Sequence, residues 1–139
     1  MIYESEHGKL GILVGGGPAP GINGVIHAAT IEALNNGMEV VGIYEGFKHL
    51  MEGKVVGSPL SYEDVTRIYR RGGSILYTSR ANPTTDEKHL RTCGQALIEA
   101  GVSCLLAIGG DDTAYSAYRV AKYADENLGV RIRTAHAPK

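Results

Sequence analysis

Short apolar runs and helical stripes of apolar residues alternate along this chain. The first run, Lys9–Val14 (KLGILV), stops at three glycines. From Ile22 the apolar positions fall at Ile22, Val25, Ile26, Ala29 and Ala33, one face of a 3.6-residue repeat, and Asn36-Gly37 supplies a C-terminal stop. A second run, Glu39–Tyr44 (EVVGIY), follows at once. Strand, helix, strand at this length predicts a βαβ unit on a parallel sheet.

The alternation continues. A turn and a short strand are expected around Val55–Val56. A helix is expected over SYEDVTRIYR, where Ser61 is followed three positions later by Asp64. Ser74–Thr78 reads as a strand, Thr85–Ala100 as a helix stopped by Gly101, and Val102–Ile108 as the most apolar strand. Thr113–Leu128 carries Ala114, Ala117, Tyr118, Ala121 and Ala124 on one stripe, and Val130–Ala137 closes the chain as a strand. The pattern predicts one α/β domain of three layers, an open and mostly parallel sheet with helices on both faces.

Composition narrows the function classes. The chain has 139 residues, 43% hydrophobic and 21% charged, which suits a globular chain with a core. A formal net charge of −1 carries no basic excess for nucleic acid. No apolar stretch approaches bilayer length, so no membrane partner is expected. The opening MIYESEHGKL lacks a basic region followed by an apolar one, so no secretory signal is expected and the location reads as cytoplasmic. Cys93 and Cys104 form neither a disulfide framework nor a zinc pattern and are expected to be buried free thiols.

Three stretches carry candidate chemistry. GGGPAPG (Gly15–Gly21) joins a strand to a helix N-terminus, where free N–H groups and the helix dipole favour an anion. It fits neither the dinucleotide fingerprint nor the P-loop. Pro18 and Pro20 have no N–H, which leaves Gly16, Gly17, Ala19 and Gly21 to hold a phosphate. A tight turn that needs glycine only for backbone freedom suits the stretch equally well. In AIGGDDTAYSA (Ala107–Ala117), Gly109 and Gly110 let backbone approach a ligand, and Asp111 could hold a divalent cation. Asp112 as a plain N-cap of the next helix would account for one of the two aspartates. Arg80 follows a predicted strand, where it could neutralise phosphoryl charge or stand as a surface loop arginine. Arg67, Arg70 and Arg71 lie at helical spacing and read as a solvated face. The histidines show no metal-ligand spacing.

GGGPAPGINGVI (Gly15–Ile26), RGGSILYTSR (Arg71–Arg80) and IGGDDT (Ile108–Thr113), in this order, together resemble the phosphofructokinase family. IYEGFKHL (Ile43–Leu50) matches the family's segment after its second strand, so the resemblance covers the chain from Lys9 onward. It implies a Rossmann-like fold, the large-domain half of such an enzyme. It also implies Mg2+ as cofactor, with Asp111 serving the metal. Gly16, Gly17, Arg80, Gly110, Asp112 and Thr113 would contact the phosphoryl donor. Family members with glycine at the position of Asp112 typically use ATP, whereas those with aspartate use pyrophosphate. A carboxylate near the α-phosphate position acts by like-charge repulsion and lost volume. Pro138-Lys139 matches the start of the family's Pro-Lys-Thr-Ile-Asp-Asn-Asp, and Lys139 would join Arg80 in stabilising transferring charge.

The expected parent reaction moves a phosphoryl group from pyrophosphate (or ATP) to the C1 hydroxyl of fructose 6-phosphate. The family's general base, the sugar-phosphate site and a second domain lie beyond Lys139. The chain therefore reads as the N-terminal donor-binding part, inactive alone and with an open sheet edge, of a full-length homo-oligomer. Three alternatives are an ATP-dependent member, a non-catalytic module that pairs with a complete subunit, and a lipid or nucleotide kinase sharing only the Gly-Gly-Asp turn.

Overall fold

The computed structural model describes residues 8–139; the segment read for a leader falls mostly outside them. The strands are β1 (Lys9–Val14), β2 (Glu39–Ile43), β3 (Gly57–Pro59), β4 (Val102–Gly109) and β5 (Arg133–Pro138). The helices are α1 (Ile22–Asn35), α2 (Tyr62–Val65), α3 (Glu87–Glu99) and α4 (Asp111–Asn127), with single 3-10 turns at Leu50–Glu52 and Pro83–Thr85. The sheet runs β3-β2-β1-β4-β5, with β3 alone antiparallel.

Alternation along the strands explains the three layers. β1 sends Leu13 to one face and Ile12 and Val14 to the other, all fully buried. β4 divides likewise, with Leu105 and Ala107 opposite Ile108. On the first face α3 and α4 cover the sheet through Leu90, Leu97, Ala117 and Val120. On the second, α1 and the segment after β3 cover it through Ile22, Ile26, Val65 and Ile68. Burying a side chain of this size contributes about 1.5–3 kcal/mol of transfer free energy. Local signals set the helix ends. Asp86 accepts from Lys88 N at 2.9 Å to start α3, and Ser61 with Asp64 forms a capping box on α2.

Several expected boundaries move. Ser74–Thr78 is not a strand. Tyr77 N donates to Ser74 O at 3.1 Å, Tyr77 has φ 58°, and only an isolated bridge joins Ser79 to Gly15. The backbone groups there are already engaged, since Ile75 N donates to Asn23 Oδ1 at 2.9 Å and Leu76 N to Ser74 Oγ at 3.1 Å. Leu76 is buried all the same, so its apolar signal belongs to a core-filling loop. The short strand lies at Gly57–Pro59 instead of Val55–Val56. Gly57 passes so near β2 that a methyl group on it would lie 1.9 Å from Gly42 O. The helix expected over 61–70 shrinks to α2, and single turns continue to Arg71, with Ile68 N donating to Val65 O. Thr85 belongs to the 3-10 turn before α3, and β5 starts at Arg133 after the Gly129 turn. α4 begins two residues before Thr113, which places both aspartates inside its first turn.

Cys93 is fully buried, and Cys104 only partly, so one of the two expected buried thiols is half-open. Burial pushes the Cys93 thiol up from 9.0 to about 12. Alkylation of the native chain at pH 8 should modify Cys104 and spare Cys93 until the chain unfolds, as mass spectrometry of the labelled peptides will read. The raised native value means the folded state holds this proton more tightly than the unfolded one. Its contribution to stability is intact below pH 9.0 and is lost as pH rises from there toward about 12. No helix among the described residues is long and apolar enough to cross a membrane.

Candidate functional site

β1 and β4 end side by side, and their following turns form one cleft. Gly15 N donates to Ile108 O at 2.9 Å, and Gly16 N to Ser79 O at 2.9 Å. Thr78 Oγ1 donates to Gly16 O, tying the Ser-Arg segment onto the first turn. Thr113 is buried between the two strand ends. A methyl group on Gly15 would lie 2.4 Å from Thr113 Oγ1, and one on Gly109 2.7 Å from Thr113 Cβ and 2.8 Å from Gly15 O. These glycines are therefore needed for the close approach of two backbones. Gly16, with φ 82°, needs in addition a conformation that glycine adopts readily. Of the two roles weighed for the glycine turn, these distances and the φ of Gly16 are those of backbone freedom.

The cleft has a volume of about 200 Å³. Gly15, Gly16, Ser79, Arg80, Asp112 and Thr113 line it together with Phe47, Asn82 and Ser116. Of the sequence candidates, Gly16, Arg80, Asp112 and Thr113 thus share one wall-to-wall site. Gly17 and Lys139 adjoin it: Lys139 Nζ donates to Gly17 O, and a methyl group on Gly17 would lie 3.2 Å from Arg80 Nη2. Gly110 and Asp111 are exposed beside Asp112. The N-cap of α4 is Gly110, with no side-chain cap, so Asp112 does not serve as the cap. Asp111 and Asp112 instead occupy the first turn, where the positive end of the helix favours carboxylates.

Charge in the cleft is concentrated. Loss of water around Lys139, and secondarily the nearby Arg80 guanidinium, hold its ammonium below the ordinary lysine range. Two cations crowd one turn, and a polyanion relieves that crowding; the Gly16 N–H expected to hold a phosphate is instead engaged by Ser79 O. No group of three or more His, Cys, Asp or Glu side chains converges on a metal position among the described residues. Asp111 and Asp112 are adjacent exposed carboxylates, the donor set of an ion that takes one or two carboxylates and completes its shell with water and phosphate.

Arg67, Arg70 and Arg71 are exposed away from the cleft, with Arg70 stacked over Tyr69 at 5.4 Å. Asn23, fully buried, donates to Arg71 O at 3.1 Å and Gly72 O at 3.2 Å, and so fixes the loop that leads to Arg80. His136 Nε2 lies 2.7 Å from Gly109 O, bracing the second turn from β5. Sequence reasoning missed Ser79, Asn82, Ser116 and His136. Asn82-Pro83-Thr84-Thr85 did carry a visible signal, an Asn cap followed by Pro.

The chain's likenesses agree with this geometry. A family model described as phosphofructokinase matches residues 9–139. A pyrophosphate–fructose 6-phosphate 1-phosphotransferase of Thermotoga maritima is 56% identical over 94% of this chain and 30% of its own length. One from Naegleria fowleri is 53% identical over 87% of this chain and 28% of its own. An ATP-dependent 6-phosphofructokinase of Lactobacillus delbrueckii subsp. bulgaricus is 33% identical over 88% and 38%. The chain thus spans about a third of the length of these relatives. The solved phosphofructokinase of Saccharomyces cerevisiae superposes with a TM-score of 0.81 at 21% identity, over 94% of this chain and 20% of that one, a likeness of fold. With the family match running from β1 to Lys139 and both turns of the cleft inside it, this chain belongs to the phosphofructokinase family.

Proposed function

We propose that this chain forms the phosphoryl-donor side of a pyrophosphate-dependent phosphofructokinase, which phosphorylates the C1 hydroxyl of fructose 6-phosphate with Mg2+. The observation that carries it is Asp112 in the wall of a cleft otherwise lined by Gly16, Thr113 and Arg80. A carboxylate there leaves room for a short donor and repels a third phosphate with its nucleoside. The relatives at 56% and 53% identity bear the pyrophosphate name, which supports the same choice.

Each residue then has a part. Gly16 and Gly17 bring backbone against the donor phosphates, and Arg80 and Lys139 offset charge on the transferring group and its leaving phosphate. Asp111, exposed and without an ion pair among the described residues, would hold Mg2+. The ion would supply further neutralisation of phosphate charge. In this proposal the acceptor site and the base come from sequence that the relatives carry outside the matched third. The relative named ATP-dependent keeps a second reading open to test, in which Asp112 is accommodated.

Calorimetric titration of the chain with magnesium pyrophosphate and with magnesium ATP decides between them. The expected outcome is saturable pyrophosphate binding at least about tenfold tighter than ATP, abolished in Arg80→Ala. Equal affinity for both donors would replace the pyrophosphate reading with the ATP one.

A further inference from the structure

We infer that Asn82 is a further phosphate-binding residue of the donor cleft, presenting its carboxamide NH2 to the donor beside Arg80. The inference rests on the donor-site reading above and adds a residue to it.

Asn82 starts the 3-10 turn ahead of α3 in an extended conformation, with φ −124° and ψ 108°, and Pro83 after it is buried. Its side-chain oxygen accepts from Thr84 N at 2.8 Å and Thr84 Oγ1 at 2.5 Å. Ser116 Oγ approaches the same oxygen at 3.5 Å. Ser116 is buried and stands one helical turn beyond Asp112, so this contact joins the 3-10 turn to the cleft face of α4. Three donors directed at one atom settle which end of the amide is oxygen. The NH2 must then point the other way. Asn82 is exposed, its NH2 has no hydrogen-bond partner among the described residues, and the residue forms part of the cleft wall two residues from Arg80.

Chemistry assigns the unpartnered end its ligand class. An NH2 group can only donate, and it adds no positive charge to a turn that already carries Arg80 and Lys139. Facing a donor phosphate, it supplies direction where the two cations supply charge. Held by Thr84, it is oriented before the donor arrives, and less side-chain freedom is lost on binding.

The proposal separates cleanly from a purely structural role, because aspartate and serine also cap turns through a side-chain oxygen. Asn82→Ser removes the NH2 without adding charge, and Asn82→Asp turns the same end into a carboxylate facing phosphate. Calorimetric titration with magnesium pyrophosphate, with thermal melting measured in parallel, is the test. Expected are affinities about tenfold weaker in Asn82→Ser and about a hundredfold weaker in Asn82→Asp, at melting temperatures near wild type. If both variants bind as wild type does while Arg80→Ala loses binding, the inference falls and the donor site stands. A fall in melting temperature and affinity together in both variants assigns Asn82 to capping alone and also overturns it. If wild type takes up no pyrophosphate, the donor-site reading fails and this inference with it.

Discussion

Asp112→Gly is expected to shift the ratio of ATP to pyrophosphate affinity by about a hundredfold toward ATP. A close like-charge pair costs several kcal/mol, and each 1.4 kcal/mol is about tenfold in affinity. The wild-type carboxylate is one residue into the first turn of α4 and lines the cleft. Glycine removes both the charge and the volume. Asp112→Asn separates the two, since it keeps the volume and discards the charge. Repulsion as the main cause predicts that Asn recovers most of the shift; exclusion by size predicts that it recovers little. Titration of both donors against the three forms, at fixed free magnesium, reads the ratio directly. A ratio unchanged in Asp112→Gly would remove Asp112 from donor choice. Glycine costs helix propensity of about 1 kcal/mol at that site, so the variant should melt slightly lower without losing its fold.

Gly109→Ala should be the most damaging single methyl group in the site. The added carbon would lie 2.7 Å from Thr113 Cβ and 2.8 Å from Gly15 O, and neither neighbour is the end of a flexible chain. Relief requires β4 to part from β1 or α4 to swing outward. Overpacking of this kind costs about 3 kcal/mol, or roughly 10 °C in melting temperature for a chain of this length. Pyrophosphate affinity should fall with it, because Gly16, Asp112 and Thr113 are all carried by the elements that must move. Gly110→Ala is the control: nothing lies within 4 Å of its added methyl group, and its φ is −85°. That change should cost less than about 1 kcal/mol. Equal melting of the two variants would show that the strand ends are not packed as described.

Wherever the determinants are local, the fold was legible from apolar periodicity. β1, α1, β2 and β4 fall on their expected segments because each carries its own period and its own stop, such as Asn36-Gly37 after α1. The Gly-Gly-Asp-Asp turn was legible for the same reason, as an apolar strand ending in glycine before a helical stripe. Ser74–Thr78 was not, because its fate depends on Asn23, which is 52 residues from the Ile75 amide that it binds. The site divides in the same way. Gly16, Asp112 and Thr113 come from two local turns. Asn82 and Ser116 belong to the cleft only because α4 packs over the 3-10 turn, and no pattern in either segment encodes that meeting. Lys139 reaches Gly17 across 122 residues, a contact that no periodicity encodes.

The placement of β1 between β2 and β4 also matters during synthesis. β1 and β2 can pair as soon as both have left the ribosome, yet the other edge of β1 has its partner about 94 residues later, as the spacing of Lys9 and Ser103 shows. At about 5–20 residues per second, that edge stays unpaired for roughly 5–20 s on each nascent chain. Ile12, Leu13 and Val14 are exposed through that interval on an open strand. A nascent chain of this sequence should therefore recruit a chaperone early and release it when the β4 segment emerges.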